Sequence, residues 1–167
     1  LSLPDARLLL QSKAAGLDDA LADRLAQGLG HHAQALTLAA GALAARRARR
    51  YHQTAEEILH RVAVGAGFGD LPRMDKQERI NAVEAALAYS YDYLGERDGS
   101  GRWQTRFRAL GVFAQEAAFE TNAAAAIWQE ADLAAAEEFL LMLDGLALVD
   151  EAKEGSEDGR VHWQQHA

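Results

Sequence analysis

Between Asn81 and Glu151 the chain reads Ser90-Tyr91-Asp92-Tyr93-Leu94, then Phe107-Arg108-Ala109-Leu110-Gly111-Val112-Phe113, then Ala123-Ala124-Ala125-Ala126-Ile127-Trp128, and closes with Leu143-Asp144-Gly145-Leu146-Ala147-Leu148-Val149. The hydrophobic period changes along this stretch. Val83, Leu87 and Tyr91 recur every four residues and predict a helix from about 81 to 94, followed by a polar loop from Gly95 to Gly101. Short helices are expected near 103–110 and 121–128. Asp132 then caps a longer helix, with Leu133, Ala136, Leu140 and Leu143 on its inner face and Gly145 just past its end. Beyond Gly145 the pattern alternates. Leu146 to Glu151 and Arg160 to Gln165 read as two strands joined by a turn that includes Asp158-Gly159. Three helices followed by a β-hairpin make a winged helix.

The first half reads as four helices. Ser2-Leu3-Pro4-Asp5 has the spacing of a capping box with Pro in the first turn, and Gly16 follows as a stop, so the first helix is expected over about 3–15. Leu17, Leu21 and Leu25 repeat every four residues and end at Gly28. A third helix is expected from His32 to Arg49, with Leu36, Ala39, Ala40 and Leu43 inside and Arg46, Arg47, Arg49 and Arg50 near its C-terminal end, where cations suit the helix dipole. Thr54-Ala55-Glu56-Glu57 reads as a second capping box, ahead of Ile58, Leu59 and Val62. Short connections make these four an antiparallel cluster. Gly65-Ala66-Gly67-Phe68-Gly69-Asp70-Leu71-Pro72 breaks the pattern, so the sequence divides into a helical subdomain over 1–70 and a winged-helix subdomain over 76–167. No Lys-Ser/Thr follows those glycines and no strand precedes them, so the segment reads as a linker rather than a phosphate loop.

The fold class expected is therefore mainly α: a four-helix subdomain, then a winged helix with a small β-hairpin. With 167 residues of which 49% are hydrophobic, the chain has ample material for packed cores. There is no Cys, which removes disulfides, thiolate ligands and Cys nucleophiles together. No apolar run approaches the roughly 20 residues that a membrane span needs, and a cytoplasmic location is the default expectation. The start at Leu1 without Met, and the stop just after a strand pattern, suggest a fragment.

Charge separates the halves. Residues 1–75 hold 9 Lys/Arg against 8 Asp/Glu, whereas residues 76–167 hold 8 against 17. The helix expected between Asp132 and Gly145 carries Glu137, Glu138 and Asp144 with no Lys or Arg, and the wing from Glu151 to Asp158 has only Lys153 against four acids. Phosphate contacts through this surface would be repulsive, so DNA binding is disfavoured. Arg46 to Arg50, and the looser group Arg102, Arg106 and Arg108, read as solvated helix ends and interdomain salt bridges. His52 and His60 stand eight apart and His31-His32 are adjacent, so neither pair has metal-ligand spacing on a helix. Trp103, Trp128 and Trp163 read as core residues.

The succession from Ser90 to Val149 resembles the winged-helix segment of the NB-ARC module in STAND-type signalling ATPases, where "SY..L", "LGVF", "AAALW" and "L.D..LV" recur in this order. Leu1 to Gly16 and Leu29-Gly30-His31-His32-Ala33-Gln34-Ala35-Leu36 are similar to the two motifs of that module's helical subdomain, "L..L...EA..LL....G" and "LGHHPLAL". The resemblance covers nearly the whole chain in the right domain order. It implies a regulatory switch fragment that closes over ADP and opens on exchange for ATP, the nucleotide being bound mainly by a nucleotide-binding domain that this sequence lacks. The fragment by itself would then not be an enzyme, although its parent would be an NTPase. Implied partners are its own N-terminal NTPase domain, C-terminal sensor repeats and other copies of itself.

Two sites follow from the resemblance. In the family the Pro of the helix-opening motif packs near the adenine; here Ala33 stands in its place, after His32, and Gln34 replaces the usual Leu. Ala neither fixes φ nor offers the rigid apolar surface of Pro. His31 and His32 read as helix-start residues, with nucleotide contact as the other use. The family's phosphate-sensing His, at the end of the winged helix, corresponds to His166 or, four residues earlier, to His162. His166 is preferred because Val161, Trp163 and Gln165 then share one strand face. An imidazole suits the ADP β-phosphate, since it donates a hydrogen bond and can carry charge near neutral pH. The competing readings are a DNA-binding winged-helix transcriptional regulator and a nucleotide-independent protein-interaction module.

Overall fold

The computed structural model describes residues 1–46, 48–66, 76–113, 117–152 and 161–165, with backbone alone for 65, 66, 76–80 and 165. The chain is mainly helical, with a small antiparallel sheet of three strands. It divides into two compact units, Leu1–Ser90 and Tyr91–Ala167, the division falling inside a helix. Of the expected linker Gly65 to Pro72, Gly65 and Ala66 end a helix, while Gly67 to Pro72, residues 153–158 of the expected wing with the Asp158-Gly159 turn, Arg47 and His166 lie outside the described residues.

In the first unit α1 spans Leu3–Lys13, α2 Asp19–Gly28, α3 Ala33–Ala44 and α4 Tyr51–Ala66, with a 3-10 turn at Ala48–Arg50. The Ser2 hydroxyl accepts from the Asp5 N–H and Pro4 occupies the first turn, as the capping pattern requires. α2 begins two residues later than the Leu17 repeat suggests, because the Asp18 carboxylate accepts from the Leu21 N–H and fixes the start there. Leu36, Ala39, Ala40 and Leu43 are all buried, but so are Ala35, Leu38, Gly41 and Ala42, so α3 is enclosed on most sides rather than along one inner stripe. That helix stops at Ala44, and Arg49 and Arg50 belong to the separate 3-10 turn.

Thr54 does not cap a helix. α4 is already one turn old at that residue, and Thr54 is buried inside it, its hydroxyl 3.2 Å from the Tyr89 phenol. A capping box is a four-residue pattern that also fits a helix interior when a distant partner takes up the hydroxyl. The rest of the unit is stapled in two ways. The Arg7 guanidinium forks onto Asp23 at 2.8 and 2.6 Å and reaches Asp19 at 3.0 Å, tying α1 to α2. At Gly28 the Leu59 side chain of α4 lies so close to α2 that an added Cβ would be 2.1 Å from Leu59 Cδ2. Ala82, Ala85 and Tyr89, from the first part of α5 (Lys76–Asp98), complete this core.

α5 buries a face different from the expected one. Ala82, Ala85, Ala86, Tyr89, Tyr93 and Leu94 are inside, whereas Leu87 is 37% exposed and Val83 and Tyr91 are half-buried. Small Ala side chains permit close approach and win over the bulkier stripe. The helix also runs on to Asp98, four residues past the expected end. Gly99 and Gly101, at φ +67° and +74°, then reverse the chain in a conformation that side chains with Cβ avoid.

The second unit continues with α6 (Arg102–Ala109), a 3-10 turn (Leu110–Val112), β1 (Phe119–Glu120), α7 (Thr121–Trp128), α8 (Leu133–Gly145), β2 (Val149–Glu151) and β3 (His162–Gln165). The Asp98 carboxylate, rather than a residue at the helix start, accepts from the Arg102 and Trp103 N–H groups at 2.7 and 3.4 Å and so caps α6. Asp132 caps α8 by accepting from Ala134 and Ala135. Ala136, Leu140 and Leu143 are buried as expected, together with Phe139, but Leu133 is 53% exposed. The two C-terminal strands pair antiparallel in the register Val149↔Gln165 and Glu151↔Trp163. A third strand, β1, joins the other edge of β3 with Phe119 opposite Trp163, giving the order β1-β3-β2. Two residues of strand in a mostly helical context leave no period to read.

Candidate functional site

The two His of the helix-opening motif stand at the α2–α3 corner. Gly30 and His31 both take left-handed backbone, φ +58° and +56°, so that the His31 N–H can donate to the Ala26 carbonyl at 2.9 Å and close the end of α2. His tolerates this region better than most side chains. His32 is the N-cap of α3 in extended backbone, but its side chain caps nothing. Both Nδ1 atoms are buried and have no hydrogen-bond partner among the described residues. Ala33 is the first residue of α3 and is exposed, and Gln34 is half-buried behind it. The site residues expected here, His32 and Ala33, thus sit side by side where the first N–H groups of a twelve-residue helix point outward without intrahelical acceptors.

His162 lies in the second unit, in the centre strand β3, opposite Glu120 of β1. Its carbonyl accepts from the Ala152 N–H at 2.7 Å and its side chain is half-buried. Trp163, on the other strand face, is fully buried and donates from Nε1 to the Thr121 hydroxyl at 3.0 Å. Alternation therefore separates His162 from the Trp163 core face. His166, the preferred sensor, lies outside the described residues.

A cluster that the sequence reading left on the surface is internal. Arg106 is only 8% exposed. Its guanidinium donates to the Glu130 carboxylate and lies 5.5 Å from the Trp128 ring centroid and 5.8 Å from that of Phe139. Trp128 Nε1 donates to the Arg106 carbonyl at 2.8 Å, and Phe139 meets Trp128 edge-on at 5.2 Å and Trp103 at 5.7 Å. Arg102, which is exposed, adds a 3.2 Å contact to the same carboxylate. The Arg106 hydrogen bond, helped by the Asp132 N–H, holds the Glu130 carboxyl below the usual range. Of the three Trp only Trp163 is fully buried; Trp103 and Trp128 are half-buried rims of this cluster. The residues around Arg106 give no local sign of such a fold-back, since Glu130 is 24 residues away.

In the first unit Tyr89 is flanked by Arg46 and Arg61, whose guanidinium carbons lie 5.8 and 5.7 Å from its ring centroid. Among the described residues no group of three or more His, Asp or Glu is placed to hold a metal ion, and no helix is long and apolar enough to cross a membrane. The chain matches no model of a known protein family, and no curated protein matches its sequence.

Proposed function

We propose that this chain is the regulatory switch part of a STAND-type, nucleotide-dependent signalling or transcriptional regulator, a helical and a winged-helix subdomain that close over ADP and open on exchange for ATP. The observation that carries the reading is the element order α6, β1, α7, α8, β2, β3, in which a short strand after the first helix joins the C-terminal hairpin. That is the order of a winged helix. The motif residues fall on its elements in sequence: Leu110-Gly111-Val112 in the turn after α6, Ala123 to Trp128 in α7, and Leu143 to Val149 from the end of α8 into β2.

In this reading ADP is held mainly by a domain with a Gly-rich phosphate loop, which this sequence does not contain, and the chain itself does not hydrolyse nucleotide. Its part is conformational. The N-terminal turn of α3, with His32 and Ala33, faces the nucleotide, and His166, or His162 in the other alignment, contacts the β-phosphate in the closed state only. A contact made in one state alone biases a two-state equilibrium by its whole free energy. The DNA-binding alternative is weakened by the outward side of α8, which carries Glu137 and Glu138 and no Lys or Arg.

The test uses the longer polypeptide that includes the phosphate-binding domain. His166→Ala removes a charge-assisted contact of about 1–3 kcal/mol and should speed ADP release and raise the self-associated fraction. A larger effect at His162→Ala reassigns the sensor by four residues. No effect at either, with no phosphate-loop motif upstream of Leu1, overturns the reading.

A further inference from the structure

We infer that the outward face of α8 is a docking surface for a basic amphipathic helix of a protein partner. The proposal rests on surface chemistry and does not depend on nucleotide switching. Turning about 100° per residue, α8 buries Ala136, Phe139, Leu140 and Leu143 and points Ala134, Glu137, Glu138, Leu141 and Gly145 to solvent. Ala134, Leu141 and Gly145 fall on one line at the centre of that face, with Glu137 and Asp144 along one side and Glu138 along the other. Leu141 is 54% exposed and Leu133, at the start of the helix, 53%.

The composition of the face selects the occupant. On that line Leu141 is the one large apolar side chain, with the small Ala134 and Gly145 above and below it, and the space around Gly145, where an added Cβ would meet nothing within 4 Å, lets a second backbone come close. No Lys or Arg lies between Leu133 and Gly145, and among the described residues no ion pair engages Glu137, Glu138 or Asp144. An apolar line flanked on both sides by carboxylates complements a helix with an apolar stripe flanked by Lys and Arg. A second copy of α8 is the wrong occupant, because it sets carboxylate against carboxylate. Duplex DNA is wrong for the same reason.

The test titrates the Leu1–Ala167 chain into a fluorescein-labelled helical peptide of heptads, Leu at a and d and Lys at e and g, and follows anisotropy at about 150 mM salt. Saturable binding is expected, weakened about tenfold or more by Glu137→Lys with Glu138→Lys and about tenfold by Leu141→Asp. Leu141→Asp is the discriminating variant. It adds negative charge, so attraction of a merely electrostatic kind would strengthen, and that outcome overturns the proposal. Leu141→Ala, which keeps helix propensity, reads the same contact if the Asp variant unfolds. Absence of binding, binding indifferent to all of these changes, self-association through α8, or retention of duplex DNA at this face each overturns it as well.

Discussion

Arg106 donates to the Glu130 carboxylate from beneath the edge-to-face pair Trp128–Phe139, so that one guanidinium joins α6, the end of α7 and α8. The arrangement exceeds a surface ion pair. The cation is desolvated, its charge is balanced by one carboxylate and two ring faces, and its own carbonyl accepts from Trp128. Removing the guanidinium opens a cavity beneath the rings and leaves Glu130 with only the exposed Arg102 and the Asp132 N–H. Arg106→Ala should lower the stability of the second unit by about 2–4 kcal/mol, whereas Arg102→Ala, on the exposed side of the same carboxylate, should change it by less than about 1 kcal/mol. Denaturant titration of the two variants checks the ratio.

The same pair has a pH signature. The Arg106 hydrogen bond depresses the Glu130 pKa in the folded state. Its contribution is therefore complete above the ordinary glutamate pKa of about 4.3 and is lost as the pH falls through the lower folded value. Glu130→Gln should be less stable than the parent at neutral pH, with the gap narrowing as the medium is acidified below about pH 4. Melting temperatures of both proteins from pH 7 to 3 measure it; a constant gap contradicts the assignment.

Gly28 is held small by Leu59. Gly28→Ala gains up to about 1 kcal/mol in helix propensity but forces the Leu59 tip, 2.1 Å from the new Cβ, to move, at about 1–3 kcal/mol. The net effect should be destabilising. In a Leu59→Ala background the clash is gone and the same substitution should become neutral or stabilising. This double-mutant cycle is read by urea denaturation.

Thr54→Val keeps the shape of the side chain and removes the partner of the Tyr89 phenol. A buried hydroxyl left unsatisfied costs about 1–3 kcal/mol. Tyr89→Phe should cost a similar amount, and the double variant less than the sum of the two, since both partners are then apolar. Additive losses would show that the 3.2 Å contact carries no coupling.

Much of the secondary structure was legible from short-range patterns. Ser2 and Asp132 announced their helices because a cap is satisfied by N–H groups two or three residues away. Two strands after Gly145 were legible, but the first begins only at Val149 and not at Leu146: Leu146 to Leu148 form a turn, with Ala147 at φ +56°, and are buried without alternation.

Other features were decided elsewhere in the chain. Thr54 became a buried hydroxyl because Tyr89, 35 residues on, supplies its partner. Arg106 left the surface because Glu130 and Phe139 fold over it. β1 exists only through its pairing with β3, Phe119 against Trp163. The face that α5 buries was set by what packs on it, small Ala against a neighbour rather than the Leu and Val stripe. Of the expected site residues, the sequence placed His32 and Ala33 at a helix start, which is a local matter; the left-handed His31 and the two buried Nδ1 atoms required the α2–α3 corner itself. Local geometry is determined by neighbours in sequence, and the sequence alone determined it here. Burial, pairing and charge balance depend on neighbours in space, which only the tertiary structure brought together.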